Sequence, residues 1–309
     1  MANRLLLSAL LALMFIVPAG AGVMIVENAR HNVYFGDRVR YLLHFPAPDT
    51  RDQVMVKFGY EVRDILKDGL PVPRVFLADL PESLDDLTVS ERKQVFTQTI
   101  LPLVLRTNEI IREDRARLLE FRDRLAMGGK LDKLENRWLT TLAIRYRLRR
   151  GATVGDLDLT ELLKRVDAIP PSLALAQAAI ESGWGTSRFA QSGNALYGQW
   201  TRGTSNGLVP IDRDEGRDHT IKTYDYLIQS VLSYARNLNS HRAYREFRER
   251  RAALKTAEDN APGVLLAETL TSYSARPEIY IKEIKAVITG NGFADLETAR
   301  LEPTWWAAP

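Results

Sequence analysis

The sequence predicts a mainly α-helical protein with one small β-hairpin lobe, and three patterns indicate this class. Across residues 90–150, apolar side chains recur at intervals of three and four, which is the spacing of one helix face. After Asp158 the chain continues as short apolar segments separated by glycine and proline, which predicts several short helices. Residues 208–211 and 220–224 show the two-residue period of β-strands. They predict the two strands of a hairpin, joined by a charged loop at 212–219.

Residues 1–21 are predicted to be a signal peptide or a membrane anchor. Arg4 precedes an apolar run at residues 5–17, and small residues follow at 19–21. This run is shorter than the roughly 20 residues that span a bilayer, which favours a cleaved signal, although extension through Val26 would give an anchor. Either alternative places the remaining chain outside the cytoplasm, in the periplasm or tethered to the outer face of the inner membrane.

The N-terminal region at residues 22–150 is predicted to be mostly helical. One helix is expected within residues 49–69, a long one within 90–128, and another at 131–150. Pro102 lies inside the long helix and is expected to kink or split it, because proline cannot donate a backbone hydrogen bond and its ring clashes with the preceding turn.

The composition excludes several classes of function. The chain has no cysteine, so disulfides, thiolate nucleophiles and zinc fingers are excluded. Its four histidines are not at the spacings of common zinc motifs, so we expect no metal and no cofactor. A net charge of +3 without a concentrated basic face predicts no nucleic-acid partner. This charge is compatible with an anionic polymer such as the bacterial wall, or with ordinary solubility; the sequence predicts no particular oligomeric state.

A buried helix is predicted directly after two consecutive prolines. Pro170 and Pro171 disfavour helix before them, and Ser172 is a favourable N-cap residue. Most of residues 173–182 are alanine, leucine or isoleucine, so more than one side of this helix is apolar. Gly183 is expected to end it.

Glu181 lies in the last turn of this predicted helix, close to Trp184. The negative end of the helix dipole and the apolar surroundings both disfavour the ionised carboxylate, so both are expected to raise the pKa of Glu181. A carboxyl group that keeps its proton near neutral pH is what protonation of a glycosidic oxygen requires. The alternative is an exposed glutamate paired with Arg188.

Several spaced motifs around Glu181 occur in the order found in one known family. They are Ala178-Ala179-Ile180-Glu181-Ser182-Gly183-Trp184-Gly185, Ser187-Arg188-Phe189-Ala190 and Gly193-Asn194-Ala195-Leu196-Tyr197-Gly198. With these motifs the sequence resembles the glucosaminidase domain of glycoside hydrolase family 73. Further runs resemble, more specifically, the bacterial Bax-type subgroup: Val72-Pro73-Arg74-Val75-Phe76-Leu77, Gln199-Trp200, Gly207-Leu208-Val209-Pro210 and His241-Arg242-Ala243-Tyr244. The match covers about residues 72–290.

The resemblance implies a lysozyme-like helical domain at residues 151–292 that carries the small β-lobe. The helical N-terminal region would precede it and a C-terminal tail at 293–309 would follow. The implied activity is that of an endo-β-N-acetylglucosaminidase, which cleaves the β-1,4 bond after N-acetylglucosamine in peptidoglycan glycan strands.

The resemblance also assigns catalytic residues. The family's catalytic glutamate corresponds to Glu181. Tyr273, followed by Tyr280, resembles the late tyrosine motif that lines the cleft, and its alternative is a core or capping tyrosine. The second carboxylate would come from the hairpin loop, where Glu215 is our first choice and Asp214 the next. The substrate's own 2-acetamido group could replace that carboxylate.

Further residues are predicted to contact sugar, because aromatic faces stack on sugar rings and polar groups fix their orientation. Two of them have structural alternatives, since Trp184 could pack in the core and Asn194 could form a turn. The predicted contacts are Trp184, Asn194, Tyr197, Gln199, Trp200 and His219.

Other functions remain open at this stage. A lytic transglycosylase would use the same single glutamate without incorporating water, and a degenerate domain could bind the wall without cleaving it. A metal amidase would need ligands that the scattered histidines do not provide.

Overall fold

The computed structural model describes residues 24–27, 41–44, 60–148, 157–202, 207–208, 219–254 and 261–303. The described chain is mainly helical, with two small antiparallel sheets. This confirms the predicted class, a mainly α, lysozyme-like fold with a small β-lobe. Within these ranges, no helix has both the length and the apolar composition of a membrane span. The signal peptide or anchor predicted at 1–21 lies outside the described residues.

The first described elements are two short strands and one helix. Strands β1 (Met24–Glu27) and β2 (Tyr41–His44) pair antiparallel. Helix α1 (Val62–Asp68) ends at Gly69, whose φ of 62° lies in the left-handed region that glycine adopts without steric cost. The helix predicted within residues 49–69 is present only from Val62, because the backbone of Glu61 is extended and starts the helix there; residues 49–59 lie outside the described residues.

Helix α2 (Val89–Ala126) is one continuous helix of 38 residues that runs through Pro102. The predicted split at this proline is wrong. Pro102 has no N–H to donate to the carbonyl of Gln98, but the Tyr60 hydroxyl donates to that carbonyl at 2.9 Å. The side-chain amide of Gln98 donates back to the Tyr60 carbonyl at 2.5 Å. Because this reciprocal pair satisfies the carbonyl that proline leaves unbonded, the helix continues.

Helix α3 (Lys133–Arg145) packs against α2 and ends five residues before the predicted boundary. The carboxylate of Asp132 caps it by accepting two backbone N–H groups of its first turn, at 2.7 and 2.8 Å. The rings of Phe121 and Trp138 meet edge to face, with their centroids 5.4 Å apart, which fixes the two helices against each other.

The remaining elements follow in short succession. The α-helices are α4 (Leu159–Arg165), α5 (Pro171–Ser182), α6 (Arg188–Gly193), α7 (Leu227–Ser240), α8 (Arg245–Leu254), α9 (Gly263–Leu266) and α10 (Pro277–Gly290). Single 3₁₀ turns lie at Glu82–Asp86, Arg242–Tyr244, Ala267–Thr269 and Phe293–Leu296. The strands of the second sheet are β3 (Trp200–Arg202), β4 (Gly207–Leu208) and β5 (His219–Lys222).

Helix α5 is the central helix of the core and contacts α2, α9 and α10. Every residue from 171 to 179 is buried, so the helix is enclosed on all sides, as its composition predicts. The predicted N-cap is displaced: the helix begins at Pro171, because proline fits the first helical position, where no N–H is needed. The hydroxyl of Ser172 instead donates to the carboxylate of Glu297.

Residues 293–303, predicted as the start of a C-terminal tail, pack onto this core. Phe293 and Leu296 are buried beside α5. Leu301 is also buried and forms a parallel bridge with Val72. The N-terminal region and the end of the described chain therefore contribute to one continuous hydrophobic core.

The β-lobe is a three-stranded antiparallel sheet with β5 in the middle. The predicted hairpin is confirmed by β4 and β5, in which Leu208 lies opposite Ile221. Strand β3 pairs with the other edge of β5 and was not predicted. The charged loop between β4 and β5, at residues 209–218, lies outside the described residues.

Candidate active site

Glu181 occupies the last turn of α5, next to the sharp turn that ends the helix. The turn begins at Gly183, whose φ is 60°. The Ser182 hydroxyl holds the turn by donating to the Ala178 carbonyl at 2.6 Å and accepting from the Gly185 N–H at 2.9 Å. Glu181 is half-buried, and burial raises its pKa, as predicted. Its alternative interpretation, an exposed glutamate, does not fit this position.

One oxygen of Glu181 is held by a tyrosine. The Tyr280 hydroxyl, on α10, donates to Glu181 Oε1 at 2.7 Å, which partly opposes the effect of burial on the pKa of the carboxyl group. Glu283, one helical turn beyond Tyr280, has the smaller effect of raising that pKa through its negative charge.

A chain of hydrogen bonds supports this tyrosine from inside the core. The Tyr234 hydroxyl donates to Gln177 Oε1 at 2.7 Å, and Gln177 Nε2 donates to the Tyr280 hydroxyl at 2.9 Å. Because all of these donors point toward Glu181, each bond polarises the next in the same direction. We call Tyr234, Gln177 and Tyr280 the relay; it fixes the position of one carboxyl oxygen.

The other oxygen of Glu181 faces a glycine. A Cβ atom built on Gly198 would lie 3.3 Å from Glu181 Oε2, so any side chain at this position would crowd the carboxyl group. Gly198 also has a φ of 56°, which L-residues rarely adopt. Two independent reasons, one steric and one conformational, therefore favour glycine at position 198.

Two comparisons with known proteins bear on this arrangement. Residues 158–292 match the family model Glucosaminidase, described as mannosyl-glycoprotein endo-beta-N-acetylglucosaminidase. The chain is also 28% identical over 239 residues to Protein bax of Escherichia coli (strain K12), covering 77% of this chain and 80% of that protein. The predicted resemblance to Bax-type proteins is thereby confirmed. No solved structure matches the chain.

The half-buried Glu181 lies within the segment that matches the glucosaminidase family model. Tyr273, predicted as the catalytic tyrosine, stacks on Tyr280 with ring centroids 5.4 Å apart. Its hydroxyl donates to the Tyr197 backbone carbonyl at 3.3 Å. The tyrosine that donates a hydrogen bond to Glu181 is thus Tyr280, and Tyr273 stacks on its ring. The missed signal is that Tyr280 shares the buried face of α10 with Ile284 and Ile288, where a hydroxyl needs a partner.

Two predicted sugar contacts are core residues of the domain. Tyr197 is only 2% exposed and stacks on Tyr234 at 3.9 Å, so no sugar can reach its ring. Asn194 is 6% exposed and ends α6 with a φ of 52°. Its side-chain amide donates to Asp79 Oδ1 at 2.9 Å, which joins the β-lobe side of the domain to the N-terminal region. The turn alternative for Asn194 is therefore the correct one.

Trp184 packs between the N-terminal and C-terminal parts of the chain. Its ring lies 5.7 Å from that of Phe96 and 6.2 Å from that of Phe293, and the Lys93 ammonium lies 4.9 Å from its centroid. Its φ of 58° is unusual for a bulky residue, so this packing must outweigh backbone strain. The core-packing alternative describes Trp184 better than a sugar contact does.

The other predicted residues lie on or next to the β-lobe. Gln199 accepts from the Tyr224 hydroxyl at 2.6 Å and donates to the Ser233 carbonyl at 3.3 Å, so it anchors the lobe to α7. Trp200 begins β3, two residues after Gly198, and is 63% exposed.

The predicted roles of His219 and of the loop carboxylates concern side chains outside the described part of the chain. The backbone of His219 pairs with Arg202 in the sheet, but its side chain lies outside the described part of the chain. Glu215 and Asp214 lie in the loop outside the described residues, so the second carboxylate stays a prediction.

Proposed function

We propose that this protein is an exported peptidoglycan hydrolase, an endo-β-N-acetylglucosaminidase that cleaves the β-1,4 bond after N-acetylglucosamine with Glu181 as general acid. The observation that carries the proposal is the asymmetry of this carboxyl group. One oxygen is held at 2.7 Å by Tyr280, and the other lies beside the space that Gly198 leaves open.

The proposed reaction begins with proton transfer from Glu181. Because Oε1 accepts from Tyr280, the proton resides on Oε2, which faces the open side. Burial raises the pKa of this group and so keeps it protonated at a higher pH than an exposed glutamate would be. The proton passes to the glycosidic oxygen as its bond to C1 of N-acetylglucosamine breaks.

The Tyr280 hydrogen bond has its largest effect after that transfer. It favours the ionised carboxylate, because a donor to a charged oxygen binds more strongly than a donor to a neutral one. Burial thus favours the acid before transfer and the relay stabilises the conjugate base after it. A water molecule then adds its oxygen to C1 and returns a proton to Glu181.

A second group is needed to stabilise C1 or to activate this water. Glu215 is the proposed carboxylate, Asp214 is the next choice, and the 2-acetamido group of the substrate is the alternative. Trp200, exposed and close in sequence to Gly198, is the proposed platform on which a sugar ring stacks. We further propose that residues 1–21 direct the chain to the periplasm, as a cleaved signal or as a tether to the inner membrane.

The products of wall digestion test this proposal. Purified peptidoglycan treated with the protein should release fragments with reducing N-acetylglucosamine ends, identified by mass spectrometry, and Glu181→Gln should abolish them. Glu249→Gln, at an exposed surface ion pair on α8, is the matched control and should retain activity. Anhydromuramic ends would instead identify a lytic transglycosylase. Wall binding without any cleavage would identify an inactive scaffold.

A further inference from the structure

Helices α2 and α3 form an antiparallel hairpin. Three pairs of residues connect the two helices: Asp114 with Arg145, whose charged groups lie 3.0 Å apart, Phe121 with Trp138, and Arg124 with Glu135 at 2.8 Å. The two residues of each pair are equally far in sequence from the bond between Gly129 and Lys130. The chain therefore reverses at residues 126–134, and we call this segment the apex.

The apex exposes apolar side chains to solvent. Every residue of the apex is exposed except Leu131, which is partly buried. Among the described residues, Met127 and Leu134 are the two most exposed large apolar side chains, at 81% and 73%. Single apolar side chains scattered over a surface are common, but here the two most exposed ones lie in one short segment, which indicates a surface that binds a partner.

Hydrogen bonds fix the backbone of the apex. The Gly128 N–H donates to the Leu125 carbonyl at 3.0 Å. The Gly129 N–H donates to the Arg124 carbonyl at 2.9 Å, and together the two bonds close the end of α2. A Cβ atom on Gly129 would lie 2.9 Å from the Arg124 carbonyl oxygen, and Gly128 has a φ of 79°, so both positions favour glycine. Because this turn is already ordered, little conformational entropy is lost when its side chains bind a partner.

The charged groups of the apex differ in how they are bonded. The carboxylate of Asp132 accepts two backbone N–H groups of α3, and the adjacent Glu135 accepts from Arg124 through both of its oxygens. Lys130 and Lys133 are exposed, and within the described ranges neither forms a hydrogen bond or an ion pair through its ammonium group. The two lysines therefore place positive charge beside the exposed apolar side chains.

The shape and chemistry of the apex fit the surface of an anionic phospholipid bilayer. Binding sites for small ligands are concave, whereas the apex is a convex turn between two helices. Apolar side chains next to lysines suit the boundary between acyl chains and head groups, where the apolar part is buried and the ammonium groups meet anionic phosphates. A fluid bilayer accepts a convex tip because its lipids rearrange around it.

We propose that the apex docks on an anionic phospholipid surface, with Met127 and Leu134 entering the lipid and Lys130 and Lys133 contacting its head groups. This inference does not rest on the proposed enzyme activity. The apex is also remote from the core around α5: Asn108 of α2 bonds the backbone of Ile169, just before α5, and Ala126 lies about 27 Å further along α2. Substitutions at the apex should therefore leave that core intact.

A fluorescent label at the apex tests this proposal in the full-length protein. The chain has no cysteine, so Ala126→Cys gives a single attachment point for an environment-sensitive nitrobenzoxadiazole label. Ala252→Cys, at an exposed alanine on the arginine-rich helix α8, is the matched control. With vesicles of phosphatidylcholine and phosphatidylglycerol, the label at position 126 should shift its emission to the blue, and the label at 252 should not. Vesicles of phosphatidylcholine alone should need at least about tenfold more lipid for the same shift.

Substitutions at the apex should raise the lipid concentration that gives half of this shift. Met127→Ser combined with Leu134→Ser should raise it at least about tenfold, because each large apolar side chain favours burial in the lipid. Lys130→Gln combined with Lys133→Gln should raise it about tenfold with the anionic vesicles, because each lysine is attracted to the negative surface.

The control for these substitutions is Ile279→Ser combined with Lys282→Gln, at exposed positions of α10, which should leave the lipid concentration unchanged. Four results would overturn the proposal: no shift at position 126 with anionic vesicles, an equal shift at 252, an equal response to both kinds of vesicle, or no effect of the apex substitutions. A shift with purified wall but not with vesicles would also overturn it and would identify a wall-binding surface. Because the label reports its own position, a tether through residues 1–21 cannot imitate the expected result. Because the vesicles contain no glycan, the result is independent of whether Glu181 is catalytic.

Discussion

The two ends of α5 each hold a partly buried carboxyl group, Glu181 at the C-terminal end and Glu297 beside the N-terminal end. Burial raises the pKa of both groups, to about 7 for Glu297. Glu297 accepts from the Ser172 hydroxyl and, at 2.8 Å, from the Gly263 N–H, so it joins three segments of the chain. Glu181 has one oxygen held by Tyr280 and the other beside Gly198.

This difference shows that a raised pKa does not by itself identify a catalytic acid. Burial raises the pKa of both groups, but they differ in what surrounds their oxygens. Oε1 of Glu297 accepts from two donors, one on α5 and one on α9, so this carboxyl group ties two helices together. Beside Glu181 Oε2 the chain has a glycine, and we propose that the space it leaves is taken by a substrate oxygen.

The largest expected difference between the two carboxyl groups is in how their substitution changes the rate of wall hydrolysis. Glu181→Gln should lower wall hydrolysis by about a thousandfold, since general acid catalysis contributes on the order of 10²–10⁴. Glu297→Gln should leave the rate nearly unchanged, because this group has no access to substrate in our proposal. Turbidity loss of purified wall measures both rates. Equal losses for the two folded variants would remove the distinction between the two ends of the helix.

A smaller effect is expected from Tyr280→Phe, which removes the donor to Glu181 but keeps the ring that stacks on Tyr273. A hydrogen bond to a charged group contributes about 1.5–3 kcal/mol, so we expect the rate to fall roughly 10- to 100-fold. Because this bond lowers the pKa of Glu181, its loss should also move the alkaline limb of the pH–rate profile to higher pH.

Tyr273→Phe is the matched control, since its hydroxyl bonds only a backbone carbonyl in the described contacts at this site. Tyr273→Phe should lower the rate less than Tyr280→Phe does, and the alkaline limb of the pH–rate profile should stay at the same pH. The relative importance of the two tyrosines would be reversed if Tyr273→Phe were the more damaging change.

At the other end of α5, Glu297 should make the free energy of unfolding depend on pH. The pKa of Glu297 is raised from 4.5 to about 7, so the folded protein binds this proton more tightly than the unfolded chain does. Its contribution to the free energy of unfolding is therefore fully present below pH 4.5 and is lost as pH rises to about 7. The total loss is on the order of 3 kcal/mol.

Glu297→Gln should remove that part of the pH dependence. Urea unfolding of both proteins at pH 5 and pH 8 measures it, and the wild type should lose more stability over this interval than the variant. A parallel decline in the two proteins would mean that Glu297 does not titrate in this window.

The smallest expected effect is from Glu283→Gln. The negative charge of Glu283 raises the pKa of Glu181, so its removal should lower that pKa and move the alkaline limb of the pH–rate profile slightly to lower pH. The direction is opposite to that expected for Tyr280→Phe. High salt should reduce the shift, because Glu283 is exposed and its charge is screened.

The sequence predicted those features that depend on short-range patterns. The period of apolar residues gave α2 and α3, and the composition of residues 173–182 predicted the enclosed helix α5. The position of Glu181 in the last turn of an apolar helix was enough to predict the direction of its pKa shift. Each of these inferences uses residues only a few positions apart.

Only the tertiary structure decided which distant residues meet. Helix α2 continues through Pro102 because the Tyr60 hydroxyl donates a hydrogen bond to the carbonyl of Gln98. Nothing near Pro102 in the sequence indicates this contact. Tyr280, rather than Tyr273, contacts Glu181 because of how α10 packs against α5.

The burial of Tyr197 and Asn194 also depended on tertiary packing, since both lie in a motif whose sequence is equally compatible with a surface. Local sequence fixes backbone conformation through sterics and capping, over a few residues. The partners of a buried polar group are instead chosen by the packing of elements that can be a hundred residues apart.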